Sequence, residues 1–310
     1  MVVATVRRGA AMIEIHEILC PTDFSDASRQ ALAHAIALAR WYGSHLTALH
    51  VIQVPLVPQP PIFGVAFADA TPPQPVSYEE REHDLRAWIE PARTVGLRVD
   101  VRVDEGDPAR RIVKQARASA ADLVVMGTHG LSGFERLMLG SVTERVLRQA
   151  PCPVLTVPPA PETDARVPYA RLLCPVDFSE SSLEALQFAL SLAKEADARL
   201  TVLHVVDWPA ANELLSEHFD PPDLQPQVEA RVRERLEALV TEEARTFSRP
   251  TTSIVYGKPY RQILETARQE QSDLIVIGVH GRNPLDLALF GSTTNHVVRR
   301  APCPVLTLRR

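Results

Sequence analysis

The sequence predicts two tandem α/β layered domains. The chain repeats itself, each repeat alternates short apolar runs with helical periodicities, and a proline-rich polar stretch separates the two. Residues 121–157 and 272–308 align without a gap and share 18 of 37 positions. Both carry Gly-x2-Gly-x9-Gly-Ser: Gly127, Gly130, Gly140 and Ser141 in the first copy, Gly278, Gly281, Gly291 and Ser292 in the second. The copies are offset by 151 residues there and by 154 at Asp23/Asp177 and His50/His204, so one small length change lies between His50 and Gly106. Half of 310 residues is close to the commonest domain size, and 45% hydrophobic content suffices for a core in each half.

In the first copy Ile18–Thr22 is a short apolar strand. Phe24–Tyr42 follows as a helix, with Leu32, Ile36 and Ala39 on one face and Gly43 as its stop. His45–Ile52 reads as a strand and Glu79–Thr94 as a helix. Leu97–Val103 alternates as a half-buried strand does, Ala109–Ser119 is helical and Leu123–Met126 is a buried strand. Ser141–Gln149 and Val154–Val157 complete the copy as helix and strand. The second copy repeats the order with Leu172–Val176, Ser182–Glu195, Arg199–Val205, Gln227–Thr246, Thr251–Val255, Tyr260–Glu270, Leu274–Ile277, Ser292–Arg300 and Val305–Leu308. Such alternation implies parallel strands joined by right-handed crossovers.

Two segments break the order. Val54–Tyr78 holds seven prolines and three aromatic residues and is read as a mobile flap near the site in preference to an inert insertion. Its counterpart, Asp207–Pro226, is shorter, with room for a helical turn at Asn212–His218. Pro158–Pro168 reads as an interdomain linker, giving a first domain at 14–158, a linker at 159–168 and a second domain at 169–310.

The formal charge of −5 shows no basic excess, which disfavours a nucleic-acid partner. No apolar run approaches the length of about 20 residues that crosses a bilayer. The first 15 residues lack the apolar core and cleavage site of a signal peptide, and Met12 is an alternative start. The four cysteines occupy equivalent positions, Cys20/Cys174 and Cys152/Cys303, without Cys-x-x-Cys spacing. They read as buried thiols in a reducing cytoplasm. No His, Cys or Asp cluster has zinc spacing.

The chemistry gathers at the glycines. Gly127-Thr-His-Gly130 follows a strand and gives a turn in which the chain can adopt positive φ and a ligand can approach the backbone closely. Gly140-Ser141 opens a helix whose first amides attract anions. Neither copy has the Walker A pattern or a full Gly-x-Gly-x-x-Gly. Ser141-Val-Thr-Glu144 also reads as a capping box, weakened in the second copy where Asn295 stands for Glu144. Capping accounts for the serine but does not require Gly127 and Gly130, so anion binding is favoured for the loop. Asp23 and Asp177 end the first strand of each copy. They are either carboxylates placed before a helix capped by Ser25 or Ser179, or acceptors for ligand hydroxyls or a metal ion riding on phosphates. The position of Asp23 and Gly127 at carboxyl ends of strands supports the second reading. His129 and His280 either meet a phosphate or pack on their own turns.

Pro21-Thr-Asp-Phe-Ser25, Gly106-Asp-Pro108, Gly127-Thr-His-Gly130, Gly140-Ser-Val-Thr-Glu144 and Pro151-Cys-Pro-Val-Leu-Thr-Val157 together resemble the universal stress protein family. The resemblance covers nearly the whole chain as a tandem pair, in the pattern of the ATP-binding branch. It implies two doubly wound domains, each a five-stranded parallel sheet of order 3-2-1-4-5 with helices on both faces. It further implies ATP, with Mg²⁺ carried on the nucleotide. Its phosphates would lie on Gly127, Gly130, Gly140, Ser141 and Val142, its ribose near Asp23 and its adenine near Val51. The matching positions in the second copy are Gly278, Gly281, Gly291, Ser292, Thr293, Asp177 and Val205. The family pairs through last strands, which implies an internal pseudo-dimer through Val154–Val157 and Val305–Leu308, and a homodimer of tandem chains beyond it. In the second copy Val176, Val279 and Asn295-His296 replace Thr22, Thr128 and Glu144-Arg145, which puts its affinity in doubt.

The function expected from this is a nucleotide-gated stress-response module with an unknown protein partner. A slow ATPase or self-phosphorylating enzyme is the alternative, although neither a base nor an arginine finger is evident in the sequence. The third reading is a nucleotide-independent scaffold.

Overall fold

The computed structural model describes residues 12–53, 77–129, 139–159, 165, 167–207, 224–240, 250–279 and 291–309. The proline-rich stretch 54–76, its counterpart 208–223, and Gly130 and Gly281 lie outside the described residues, and with them the expected flap and the helical turn at Asn212–His218.

The first half runs β1 Glu17–Thr22, α1 Asp26–Tyr42, β2 His45–Ile52, α2 Tyr78–Trp88, α3 Glu90–Thr94, β3 Val99–Glu105, α4 Pro108–Ala118, β4 Leu123–Gly127, α5 Ser141–Gln149 and β5 Val154–Val157. The second runs β6 Arg171–Pro175, α6 Glu180–Ala196, β7 Arg199–Val206, α7 Leu224–Leu239, β8 Thr251–Tyr256, α8 Pro259–Gln269, β9 Leu274–Gly278, α9 Ser292–Arg300 and β10 Val305–Leu308.

Local signals act where the sequence places them. Ser25 caps α1, its hydroxyl accepting from the Ser28 amide at 3.2 Å, and Ser179 caps α6 in the same way at 3.3 Å. Gly43 ends α1 in the left-handed region at φ 70°, where its N–H reaches the Ala39 carbonyl. The helix expected over 79–94 is broken at Ile89. Pro91, near the start of α3, offers no N–H, and its ring would clash with the carbonyl four residues back.

All strands join one ten-stranded sheet of order β3-β2-β1-β4-β5-β10-β9-β6-β7-β8. Within each half the pairing is parallel and follows the expected 3-2-1-4-5 order. The halves meet where β5 and β10 pair antiparallel, Val305 opposite Thr156 and Thr307 opposite Val154. The Thr156 hydroxyl donates to the Val305 carbonyl at 3.1 Å, and Thr307 returns the bond to Val154 at 3.0 Å. Two edges that would otherwise be open strand templates thereby close on each other.

Successive strand residues point to opposite faces. Ile18 and Cys20 pack with Ala31, Leu32 and Ala35 of α1, while Leu19 packs with Ile112 of α4 and Leu147 of α5. Leu172, Leu173 and Cys174 divide between α6 and the α8–α9 layer in the same way. Each core continues across the seam, so both faces of the long sheet are covered and β1 lies between crossovers on opposite faces. That is where an open α/β sheet has its crevice.

Candidate functional site

At the carboxyl edge of the first half, β1 gives way to Asp23 and Phe24. Phe24 holds φ 66°, a left-handed backbone uncommon for a residue with a side chain, and Phe178 repeats it at φ 66°. Packing holds it there. The ring lies 4.6 Å from His50 and 5.3 Å, edge on, from Trp88, and the Phe24 amide donates to the Thr22 hydroxyl at 3.0 Å. His50 Nδ1 sits 2.9 Å from the Thr22 carbonyl. A carbonyl only accepts, so this nitrogen carries the proton, and burial pushes the imidazole below its usual range. The turn aims Asp23 back on itself, Oδ1 accepting from the Ser25 amide at 3.1 Å and hydroxyl at 2.5 Å. Asp177 and Ser179 repeat the pair at 3.0 and 2.5 Å.

Gly127 closes β4 beside this turn. Its backbone lies outside the left-handed region, contrary to the expectation of positive φ. What requires glycine is the start of α1: a Cβ at position 127 would stand 3.0 Å from the backbone carbon and oxygen of Ala27. At Gly278 the approach is closer, 2.6 Å from the Ser181 carbonyl carbon. The strand end is then tied to the next helix. The Thr143 hydroxyl donates to the Gly127 carbonyl at 2.9 Å, and the Gly140 amide donates to the Thr128 carbonyl at 2.9 Å. The second half repeats both links, Thr294 to Gly278 at 2.9 Å and Gly291 to Val279 at 3.1 Å.

These links move the helix cap. Gly140, at φ −57° and ψ 135°, is the N-cap of α5, and Ser141 is the exposed first residue of the helix. The capping box read from Ser141 and Glu144 is therefore absent. Glu144 turns along the helix to Arg148 at 2.7 Å instead. α9 starts identically on Gly291, and neither helix has a side-chain cap. The first-turn amides, Ser141 and Val142 in one half and Ser292 and Thr293 in the other, have no partner within their helices and carry the positive end of the dipole. A Cβ at Gly140 would stand 3.3 Å from the Thr128 oxygen, a tight contact that a side chain there would have to displace. Unpaired amides, an exposed hydroxyl and a glycine cradle are the donor set of an anion site.

Val51 and Val205 stand near the ends of β2 and β7 at the same sheet edge, in register with Asp104 and Val255. The structure thus gathers Asp23, Val51, Gly127, Gly140, Ser141 and Val142 along one edge, with Asp177, Val205, Gly278, Gly291, Ser292 and Thr293 as their counterparts. Sequence reasoning missed Phe24, Phe178, Thr143 and Thr294. The threonines had a readable signal in Gly-Ser-x-Thr, present in both copies.

The surroundings differ. In the first half Arg145 reaches Asp107, the cap of α4, at 2.7 Å, and the carboxyl is held below its usual range by the Arg110 amide and by Arg145. In the second half Lys258 and His296 take those positions, and His296 stacks on Tyr260 at 4.5 Å. All four cysteines are buried and unbridged, with burial pushing the Cys20, Cys152 and Cys303 thiols up to about 12. Among the described residues no group of three His, Cys, Asp or Glu side chains is placed to hold a metal ion, and no helix is long and apolar enough to cross a membrane.

Comparison with known proteins agrees with this architecture. The model of the universal stress protein family matches residues 14–158 and again 168–309. Universal stress protein MJ0531 of Methanocaldococcus jannaschii is 39% identical over 142 residues, covering 46% of this chain and 81% of the relative. A universal stress protein of Mycolicibacterium smegmatis is 27% identical over 309 residues, covering 94% of this chain and 96% of its own length. The crystal structure of a universal stress protein from Archaeoglobus fulgidus superposes with a TM-score of 0.67 at 23% identity, covering 96% and 98% of the two chains, a likeness of fold. The chain belongs to the universal stress protein family, and it carries the family's domain twice.

Proposed function

We propose that each half binds ATP and that nucleotide occupancy regulates how the tandem chain engages a protein partner in a cytoplasmic stress response. The observation that carries this reading is the pair of helices α5 and α9. Each opens on a glycine with no side-chain cap, beside a strand end whose neighbour presents a hydrogen-bonded aspartate. The residues fit a polyphosphate. The Ser141 and Ser292 hydroxyls are exposed, and α9 has no acidic residue in its first turn. In α5 the one acidic residue of that turn, Glu144, is paired with Arg148.

In this reading the amides of Ser141, Val142, Ser292 and Thr293, with the glycine loops, receive phosphate oxygens, which are better acceptors for such donors than water at a helix N-terminus. Asp23 and Asp177 accept from ribose hydroxyls, and the β2 and β7 backbones near Val51 and Val205 border the base. Mg²⁺ would arrive with the nucleotide and neutralise phosphate charge. The units that act are 14–158 and 169–310, joined by 159–168, and a homodimer of tandem chains completes the assembly.

The test is titration calorimetry of ATP with Mg²⁺ against nucleotide-stripped wild type and the Gly140→Val/Gly291→Val double variant. Binding by the wild type, lost in a variant that still melts cooperatively, is the expected outcome. Equal affinity in both would remove the reading.

A further inference from the structure

The antiparallel seam sets the end of each half against the anion site of the other. β5 runs up the sheet and β10 runs down, so the C-terminus of α5 emerges at the edge where α9 begins. Within the second half, the Gly291 amide donates to the Val279 carbonyl at 3.1 Å and the Val279 amide to the Leu308 carbonyl at 3.0 Å, which sets Arg309, the next residue, at that same edge. Beside it lies an open cavity of about 450 Å³, lined by Arg117 from the last turn of α4, Arg148 from the last turn of α5, the Gln149–Pro151 turn, and Arg309.

The three guanidinium groups, two of them exposed, concentrate positive charge around one open cavity. Only Arg148 has a carboxylate partner, Glu144 at 2.7 Å, while Arg117 and Arg309 form no ion pair among the described residues. The dipoles of α4 and α5 favour a basic residue in each last turn, which accounts for Arg117 and Arg148. Arg309 follows a strand, and no helix accounts for it. Two of the three arginines recur in the second half, while the counterpart of Arg309 in the first half is Pro158. Positions 117 and 148 are arginine again as Arg268 and Arg299. Arg299, in the last turn of α9, is the charge that, after burial, holds His129 of the first half below its usual range.

We propose that the halves complete each other's anion sites: Arg117 and Arg148 of the first half, with Arg309, form a subsite for the outer phosphates of a ligand held at the start of α9. The proposal rests on the nucleotide reading for its ligand but not for its chemistry, because a polyphosphate chain alone presents the same oxygens to arginine.

The experiment uses the full chain in two backgrounds. Gly140→Val leaves the second half's loop intact, and Gly291→Val leaves the first half's. Into each are placed Arg117→Gln and Arg148→Gln together, and separately Arg309→Gln. Affinities are measured for ATP, AMP and inorganic tripolyphosphate, with thermal melting to verify folding. In the Gly140→Val background the first-half pair and Arg309→Gln should each weaken ATP and tripolyphosphate about tenfold or more, the range expected for loss of charged hydrogen bonds, and AMP less than about twofold. In the Gly291→Val background Arg309→Gln should leave ATP unchanged.

Equal losses for AMP and ATP, or a first-half arginine pair that leaves the second half's ATP affinity unchanged, would overturn the subsite. If the wild type binds no nucleotide, arginine-dependent tripolyphosphate binding still supports the subsite and only the nucleotide reading falls. Tripolyphosphate binding that is absent, or that ignores these arginines, overturns the subsite itself.

Discussion

Near the start of α5 the first half sets two carboxylate–arginine pairs, whereas the second half has basic and aromatic groups near the start of α9. Glu144 and Asp107 face Arg148 and Arg145 across short ion pairs, but Asn295, Lys258 and His296 replace three of the four partners. The scaffold beneath is constant: the threonine-to-glycine bond is 2.9 Å in both halves, and both helices start on an uncapped glycine. Backbone geometry is therefore what duplication has kept, and side-chain charge is where the copies differ. The field at the second helix start is the more positive of the two. Its loss of Thr22 and Thr128 hydroxyls is thus set against the loss of a nearby carboxylate.

The strongest way to break the equivalence is to close one cradle at a time. Gly140→Val should remove ATP binding from the first half alone and Gly291→Val from the second alone, each lowering the calorimetric stoichiometry by one. A single variant that removes all binding would show that the halves do not act as separate sites.

Next in size are the packing glycines. A Cβ at Gly278 would come within 2.6 Å of backbone, and one at Gly127 within 3.0 Å. Gly278→Ala should lower stability by about 3 kcal/mol and Gly127→Ala by about 1 kcal/mol, within the range for overpacking. Urea denaturation reads the difference, and equal effects would contradict the closer approach in the second half.

A pH-dependent asymmetry should also appear. His34 on α1 lies against Tyr169 with ring centroids 6.3 Å apart, and burial lowers its pKa to about 4, whereas the second half has Phe188 at the equivalent position. An unfolded histidine titrates near 6.5, so between those values the unfolded chain holds the extra proton. Stability should fall as pH drops from about 6.5 to 4 and level off below. After discounting for partial exposure, His34 accounts for about 2 kcal/mol of that fall. His34→Phe, which copies the second half, should flatten the profile by this amount. An unchanged profile would show that other groups carry the dependence.

The smallest effect is expected at the half-exposed Asp107–Arg145 pair. Arg145→His, again the second half's residue, should change stability by less than about 1 kcal/mol and lose its effect in high salt.

Much of this was legible in the sequence, for physical reasons that also mark the limits. Strand and helix order followed from periodicity, because the inner strands are buried on two faces, the outer strand β3 alternates, and helices such as α1 bury one face. The strand pairing at the seam followed from a family resemblance and not from the residues, since Val154–Val157 alone does not reveal its neighbour. The cap of α5 was misread because Ser-x-x-Glu satisfies a local pattern, while the decisive bond, Gly140 to Thr128, spans a loop. Gly127 was read for positive φ and for close approach of a ligand, whereas the constraint seen at it is a long-range contact with Ala27. The break at Ile89 was visible in principle from Pro91, whose position near a helix start conceals it. Phe24 could not be read at all: its left-handed φ is maintained by His50 and Trp88, which are distant in sequence.

The measurement that bears most directly on the central claim is the stoichiometry of ATP and Mg²⁺ on nucleotide-stripped full-length chain, by titration calorimetry with equilibrium dialysis of labelled ATP beside it. Two equivalents per chain are predicted, one on each uncapped helix. Absence of binding by both methods would contradict the account and leave the two glycine loops as turns within a scaffold.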